Sequence, residues 1–335
     1  MTRVGELGER ALIRRIIEHL PPAPEGEWWA GDDAAVVTVG PTRFVLTIDT
    51  LTDKLDFDLS SGFGGSGKDA GWKAMAANVS DIAAMGARPR HAVVSLSLPA
   101  ETAVADTDDI AAGLAEAAAR WQVGLAGGDV GAASEISITV ALTGEVGVHG
   151  PVLRSGAAAG QALCVTGFLG GAAAGLRSLR VSTGTEPQAH EARLRTRQLR
   201  PQARPEAGLA LAGLATAMID VSDGLAVDLS NLLDSSVAGC EIDPEEIPVD
   251  PDLLVLAAEP QWEELDPLLL ALTGGEDYEL LFALEEAGLG SAEEALRELG
   301  VGMSRIGTVV ADGKRVGREE LDHFRSLGWQ HLQDR

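Results

Sequence analysis

The sequence predicts an α/β (α+β) protein of two domains, each a mixed sheet flanked by helices. Three observations lead there. Short β-branched or apolar runs alternate with longer helix-forming segments along the whole chain. Its 335 residues exceed one typical domain. A Gly- and Pro-containing stretch, Gly147 to Gly160, then divides it near the middle, giving domains at 1–150 and 151–335.

Taken in order, Glu6 to Leu20 sets Leu7, Ala11, Leu12 and Ile16 among charges, an amphipathic helix ended by Pro21 and Pro22. Ala34 to Val39 and Arg43 to Ile48 are strands around a Gly40-Pro41 turn. A polar, Gly-rich loop spans Asp53 to Asp69, and a helix runs from Ala70 to Met85, with Gly86 stopping it. His91 to Leu98 is a strand, Thr107 to Trp121 a helix, and Ile136 to Val146 a β-branched strand. In the second half Ala162 to Val165 is a strand, followed by a Gly-rich turn and an Ala-rich helix. A helix over Gly208 to Leu214, another reaching Leu233, a strand after Gly274-Gly275, a helix over Ala292 to Leu299 and a strand near Ile306 complete the pattern. The halves echo each other: Ser80-Asp81 and Ser222-Asp223 each precede a double-glycine acidic turn, Gly127-Gly128-Asp129 and Gly274-Gly275-Glu276-Asp277.

A net charge of −25 argues against a nucleic-acid or anionic-membrane partner, because both would be repelled. It is compatible with phosphorylated small molecules bridged to carboxylates by divalent cations. Cys164 and Cys240 are too few for a disulfide framework or a thiolate metal site, and the N-terminal residues carry no apolar signal core, so a cytoplasmic location is expected.

Asn78 to Ala87 sets Asp81 inside an apolar helix-forming run, where an ionised carboxylate needs a neutralising partner. Two readings stand: Ser80 or Asp81 starts a helix ahead of Ile82, or Asp81 binds a cation. Asp32-Asp33, Asp49, Asp129 and Asp220 with Asp223 also sit at apparent strand ends or glycine turns. Hard oxygen ligands in such number suit Mg²⁺, which in turn brings phosphates. Gly62 to Asp69 nearly spells a phosphate-binding P-loop, but Asp69 replaces the Ser or Thr that would hold Mg²⁺ and no buried strand leads in.

The ordered set Gly31 to Ala35, Asp49-Thr50-Leu51, Lys73 to Ala87, Gly127-Gly128-Asp129, Arg154 to Ala157, Val165-Thr166-Gly167, Ile219 to Leu225 and Gly274 to Leu280 resembles thiamine-monophosphate kinase, of the aminoimidazole ribonucleotide synthetase-like superfamily. The resemblance covers nearly the whole chain. It implies ATP-dependent phosphorylation of thiamine monophosphate by direct in-line transfer, and a homodimer joined through the N-terminal sheets. It further implies several Mg²⁺ ions on Asp33, Thr47, Asp49, Asp81, Asp129, Asp220 and Asp223, with Gly128, Asp129, Arg154 and Ser222 at ATP. Asp81, Asp129 and Arg154 are the implied catalytic groups, and Glu276 and Trp329 the implied thiamine contacts.

The sequence departs from the family where Asp56 stands for a usual His, Val130 for Thr and Gln161 for Asp, and where Trp329-Gln330-His331-Leu332 replaces an aromatic-Asp-His-Phe ending. Asp56 is therefore the substrate-side position that bears most on acceptor identity. The alternatives are a related enzyme with another small acceptor and a non-catalytic nucleotide-binding homologue.

Overall fold

The computed structural model describes residue 4 and residues 9–60, 65–181 and 186–328. The first half comprises α1 (Glu9–Ile17), β1 (Ala35–Val39), β2 (Thr42–Thr52), α2 (Gly67–Ala84), β3 (Ala87–Leu98), α3 (Val104–Trp121), β4 (Gly124–Ala132) and β5 (Ser137–Val146). Its sheet runs β1-β2-β5-β3-β4. Neighbours are antiparallel except β3 and β4, whose parallel pairing needs the α3 crossover. Val45, Ile138, Val140 and Leu142 are buried on the helix-covered face, while Leu46, Ile48 and Val93 stand exposed on the other.

The second half comprises β6 (Ala162–Thr166), α4 (Gly171–Arg180), α5 (Ala189–Leu199), α6 (Pro205–Leu211), β7 (Ala215–Asp220), α7 (Leu225–Ser236), β8 (Gly239–Ile242), α8 (Pro251–Ala257) and α9 (Pro267–Thr273). It continues through β9 (Leu280–Leu284), α10 (Leu289–Glu298), β10 (Met303–Val310), β11 (Lys314–Val316), β12 (Glu319–Glu320) and α11 (Leu321–Arg325). These strands form one sheet, β12-β11-β8-β10-β6-β9-β7, mixed because β8 and β11 are parallel. The centre of the sheet is dry: every residue of β6 and of β9 is buried.

Helix α2 joins the halves. It is buried on nearly all sides, as an apolar helix without a polar face must be. Its neighbours are α3 and β2, β3 and β5 on one side, and α6 and β7 on the other. Glycines permit that closeness: a Cβ at Gly71 would lie 2.2 Å from the Ile110 carbonyl oxygen, and one at Gly113 2.0 Å from that of Lys68. The start of α2 is a capping box, Ser66 and Asp69 each bonding the other's backbone N–H. The Gly-rich stretch is thus used, from Gly65 onward, to begin and pack a helix; residues 62–64 of the P-loop-like motif lie outside the described residues.

Several sequence expectations need correction. Ser80 and Asp81 occupy the last turn of α2 and start no helix. Asp49 lies within β2, which continues to Thr52, and Gly127-Gly128-Asp129 is part of β4 instead of a turn. Ser222-Asp223 precedes α7, so the two Ser-Asp pairs are not equivalent and the echo between halves does not hold at these positions.

Candidate active site

A cleft of about 830 Å³ opens where the ends of β2, α2 and β7 meet. Asp33 follows the loop into β1, Asp81 projects from the last turn of α2, and Asp220 ends β7. One carboxylate oxygen of each lies within 4.8 Å of the others. Two hydroxyls of the first half steady them: Thr47 Oγ1 donates to Asp81 Oδ2 at 2.5 Å and Ser80 Oγ to Asp220 Oδ2 at 2.6 Å. The Asp49 backbone N–H donates to Asn78 Oδ1 at 3.2 Å, tying β2 to α2, and Asp49 lines the cleft beside the three.

Among the described residues, Arg154 is the cation paired with a member of the cluster. Its Nε and Nη2 both donate to Asp33 Oδ1, at 3.0 and 2.5 Å, and its backbone N–H donates to Asp32. Asp33 Oδ2 is buried with no hydrogen-bond partner. At such separations each pair of ionised carboxylates repels by about 3–4 kcal/mol with an effective dielectric of 20, so one guanidinium cannot neutralise the group. Burial, then the charge of Asp33, pushes Asp220 up to about 8. Burial, then the charges of Asp49, Asp220 and Asp33, holds Asp81 well above the usual carboxylate range. Burial and neighbouring Asp33 push Asp32 up to about 7. An all-oxygen set with one orphaned buried oxygen has the chemistry to hold a hard divalent cation such as Mg²⁺.

Across the cleft, Glu276 forms an ion pair with Lys73 and accepts from Gln198 Nε2 at 2.6 Å. Lys73 Nζ also donates to the Asp56 carbonyl at 3.0 Å, which pins the turn after β2 to the 274–279 loop. That loop is unusual: Glu276 and Tyr278 have φ values of 69° and 51°, uncommon for residues with a side chain. The Asp277 carboxylate accepts the N–H groups of Gly170 and Ala172, closing the start of α4. Asp56 bends back so that its carboxylate accepts the Thr52 N–H at 2.7 Å.

Of the residues singled out by sequence, Asp33, Thr47, Asp49, Asp56, Asp81, Arg154, Asp220, Ser222, Asp223 and Glu276 all line this cleft. Gly128 and Asp129 do not. Asp129 pairs with Ser95, Ser95 with Thr139 and Thr139 with Thr50, which puts Asp129 on the sheet face away from α2. Three strand spacings, about 14 Å, separate it from β2. Trp329 lies outside the described residues. Sequence reasoning missed Lys73, Gln198 and Asp228; only Lys73 carried a signal, as a lysine amid small apolar helix residues.

Comparison with known proteins agrees with this architecture. Residues 31–146 match the AIR synthase related protein, N-terminal domain, and residues 158–318 the AIR synthase related protein, C-terminal domain. The chain is 36% identical over 326 residues to the thiamine-monophosphate kinase of Mycobacterium tuberculosis (strain H37Rv), spanning 97% of this chain and 92% of the relative. It is 35% identical over 310 residues to the enzyme of that name from Escherichia coli (strain K12), spanning 91% of each. A solved structure described as AaThiL complexed with AMPPCP and TMP superposes with a TM-score of 0.85 and 31% identity over 99% of both chains.

Proposed function

The chain belongs to the AIR synthase related family, and we propose that it phosphorylates thiamine monophosphate with ATP to give thiamine diphosphate. The observation that carries the reading is the convergence of Asp33, Asp81 and Asp220, from three distant segments, beside Arg154 in one cleft. The near-full-length relatives bear that activity in their names, and the AMPPCP and TMP in the AaThiL complex are an ATP analogue and, by its common abbreviation, the acceptor.

The chemistry asks little of the protein in proton transfer. A phosphate monoester has a second pKa near 6, so the acceptor is already a nucleophilic dianion at neutral pH. The obstacle is repulsion between two polyanions. The chemistry that Mg²⁺ would supply here is positive charge against the phosphates and against the charge developing in the transition state. Asp33, Thr47, Asp49, Asp81 and Asp220 would hold the ion, with Asp223 adding a ligand. Arg154, kept protonated by its two aspartates, would turn toward the transferred phosphoryl group. Ser222 would contact ATP. Glu276, with Asp56 and Trp329, would face the thiamine end, and Lys73 and Gln198 fix where the Glu276 carboxylate sits.

We assign Asp129 and Gly128 to a homodimer. The exposed Leu46, Ile48 and Val93 lie on the same sheet face as Asp129, and a metal role for Asp129 requires a second copy seated there. The two thiols, both buried and unpaired, fit a reducing cytoplasm. Among the described residues no helix is long and apolar enough to cross a membrane. Incubating the purified chain with ATP, Mg²⁺ and thiamine monophosphate, and separating products by chromatography, is expected to yield thiamine diphosphate and ADP in equal amounts. Nucleotide binding without any thiamine diphosphate would refute the reading.

A further inference from the structure

The loop from β7 to α7 carries Ser222 and Asp223 into the cleft, yet α7 has no side-chain cap at its start; Gly224 stands there with φ 109°. Asp228, in the first turn of α7, takes the place of a cap. Its Oδ2 accepts the N–H groups of Ser222 at 3.1 Å, Asp223 at 3.0 Å and Gly224 at 3.1 Å. Asp228 is 2% exposed. Three amides on one oxygen fix the backbone of three consecutive residues around a single point. The other side of the loop is held as well, since the Ser222 carbonyl accepts the Glu276 N–H at 2.8 Å.

The arrangement has a chemical consequence. A free helix N-terminus offers its amides to a phosphate. Here the amides of the loop residues Ser222 and Asp223 and of the cap Gly224 are turned inward onto a carboxylate, so at positions 222 and 223 it is the side chains, not the amides, that can face a nucleotide. We infer that Asp228 is the positioning residue for nucleotide binding, acting through Ser222 and Asp223. It aligns both side chains and stops the loop from acting as a backbone phosphate cradle. This rests on the assignment of Ser222 and Asp223 to ATP and its metal, proposed above.

The test is titration calorimetry of Asp228→Ala and Asp228→Asn with AMPPCP and Mg²⁺, beside their melting temperatures. Loss of three bonds to a charged acceptor is expected to weaken AMPPCP binding about tenfold or more in Asp228→Ala. Asp228→Asn retains an acceptor oxygen and is expected to lose about threefold, a partial rescue. Thiamine monophosphate affinity is expected to stay within about twofold in both, because the residue acts on the nucleotide loop. AMPPCP affinity at the wild-type value in either variant overturns the inference, as does an equal loss for both ligands, which marks general destabilisation. If Asp228→Ala does not fold, Asp228→Asn decides alone. The AMPPCP titration needs no turnover, so its outcome stands even if thiamine monophosphate proves not to be the acceptor.

Discussion

The two Ser-Asp pairs read alike in sequence and are built in opposite ways. Ser80 and Asp81 belong to the final turn of a buried helix, so the helix itself aims them. Ser80 is spent on Asp220, and Asp81 is held by Thr47 from a neighbouring strand. Ser222 and Asp223 sit on a loop whose direction is set by Asp228 and Glu276. The first pair is aimed by the fold and the second by local hydrogen bonds. Substitution in the first should therefore show in stability at Ser80 and in chemistry at Asp81, whereas substitution in the second should show in binding.

The largest effect is expected at Asp81. Asp81→Asn keeps the shape and removes the charge, so thiamine diphosphate formation should fall by about three orders of magnitude with the melting temperature unchanged or raised. Near-normal turnover would break the contrast at its stronger end. Ser80→Ala removes a donor from buried Asp220 and is expected to cost about 1–3 kcal/mol in stability, read by denaturant unfolding. Ser222→Ala should leave stability alone and raise the KM for Mg-ATP by about threefold to tenfold, read by steady-state kinetics. If Ser222→Ala destabilises as much as Ser80→Ala, the distinction between the two pairs fails.

A smaller, sharper test uses pH. Asp220 sits at about 8 in the folded protein against an ordinary value of 3.8, so the native state holds its proton more tightly than the unfolded chain. That contribution to stability is whole below the ordinary value and is lost as pH rises through the raised one. The melting temperature of metal-free protein should therefore fall across about pH 5 to 8.5. Added Mg²⁺ should raise it most at the alkaline end, where the carboxylates are ionised. Asp81→Asn should flatten the fall, since it removes a second carboxyl whose own raised value adds to it. A Mg²⁺ effect independent of pH would separate the cluster from cation binding.

The acidic cleft was legible in sequence because carboxylates interrupting apolar runs are costly and need a reason. The fold class was legible from alternating periodicities. What escaped was whatever depends on long-range pairing. β7 is not among the strands read from the sequence, since its pairing with β9 joins distant segments, and the partners of Glu276 come from residues 73 and 198. Asp129 shows the same limit from the other side: its motif marks it as a ligand, but only strand register reveals which face it occupies. Asp228 was invisible because a carboxylate in a helix's first turn is common, and three inward amides are a property of the loop.

Helix α2 carries Lys73 toward its middle and Asp81 in its last turn. Eight residues at 1.5 Å each set about 12 Å between them, a length that a continuous helix locked between two sheets cannot change. The helix is in effect a ruler laid along the cleft, with the Glu276 anchor at one mark and the carboxylate cluster at the other. On the proposed assignment of Glu276 to the thiamine end, a ligand whose cationic ring and terminal phosphate are spaced to match both marks would be accepted whole. A shorter or longer one reaches a single mark and leaves its phosphate out of line. That assignment would make acceptor length a quantity set by the rise of one α-helix.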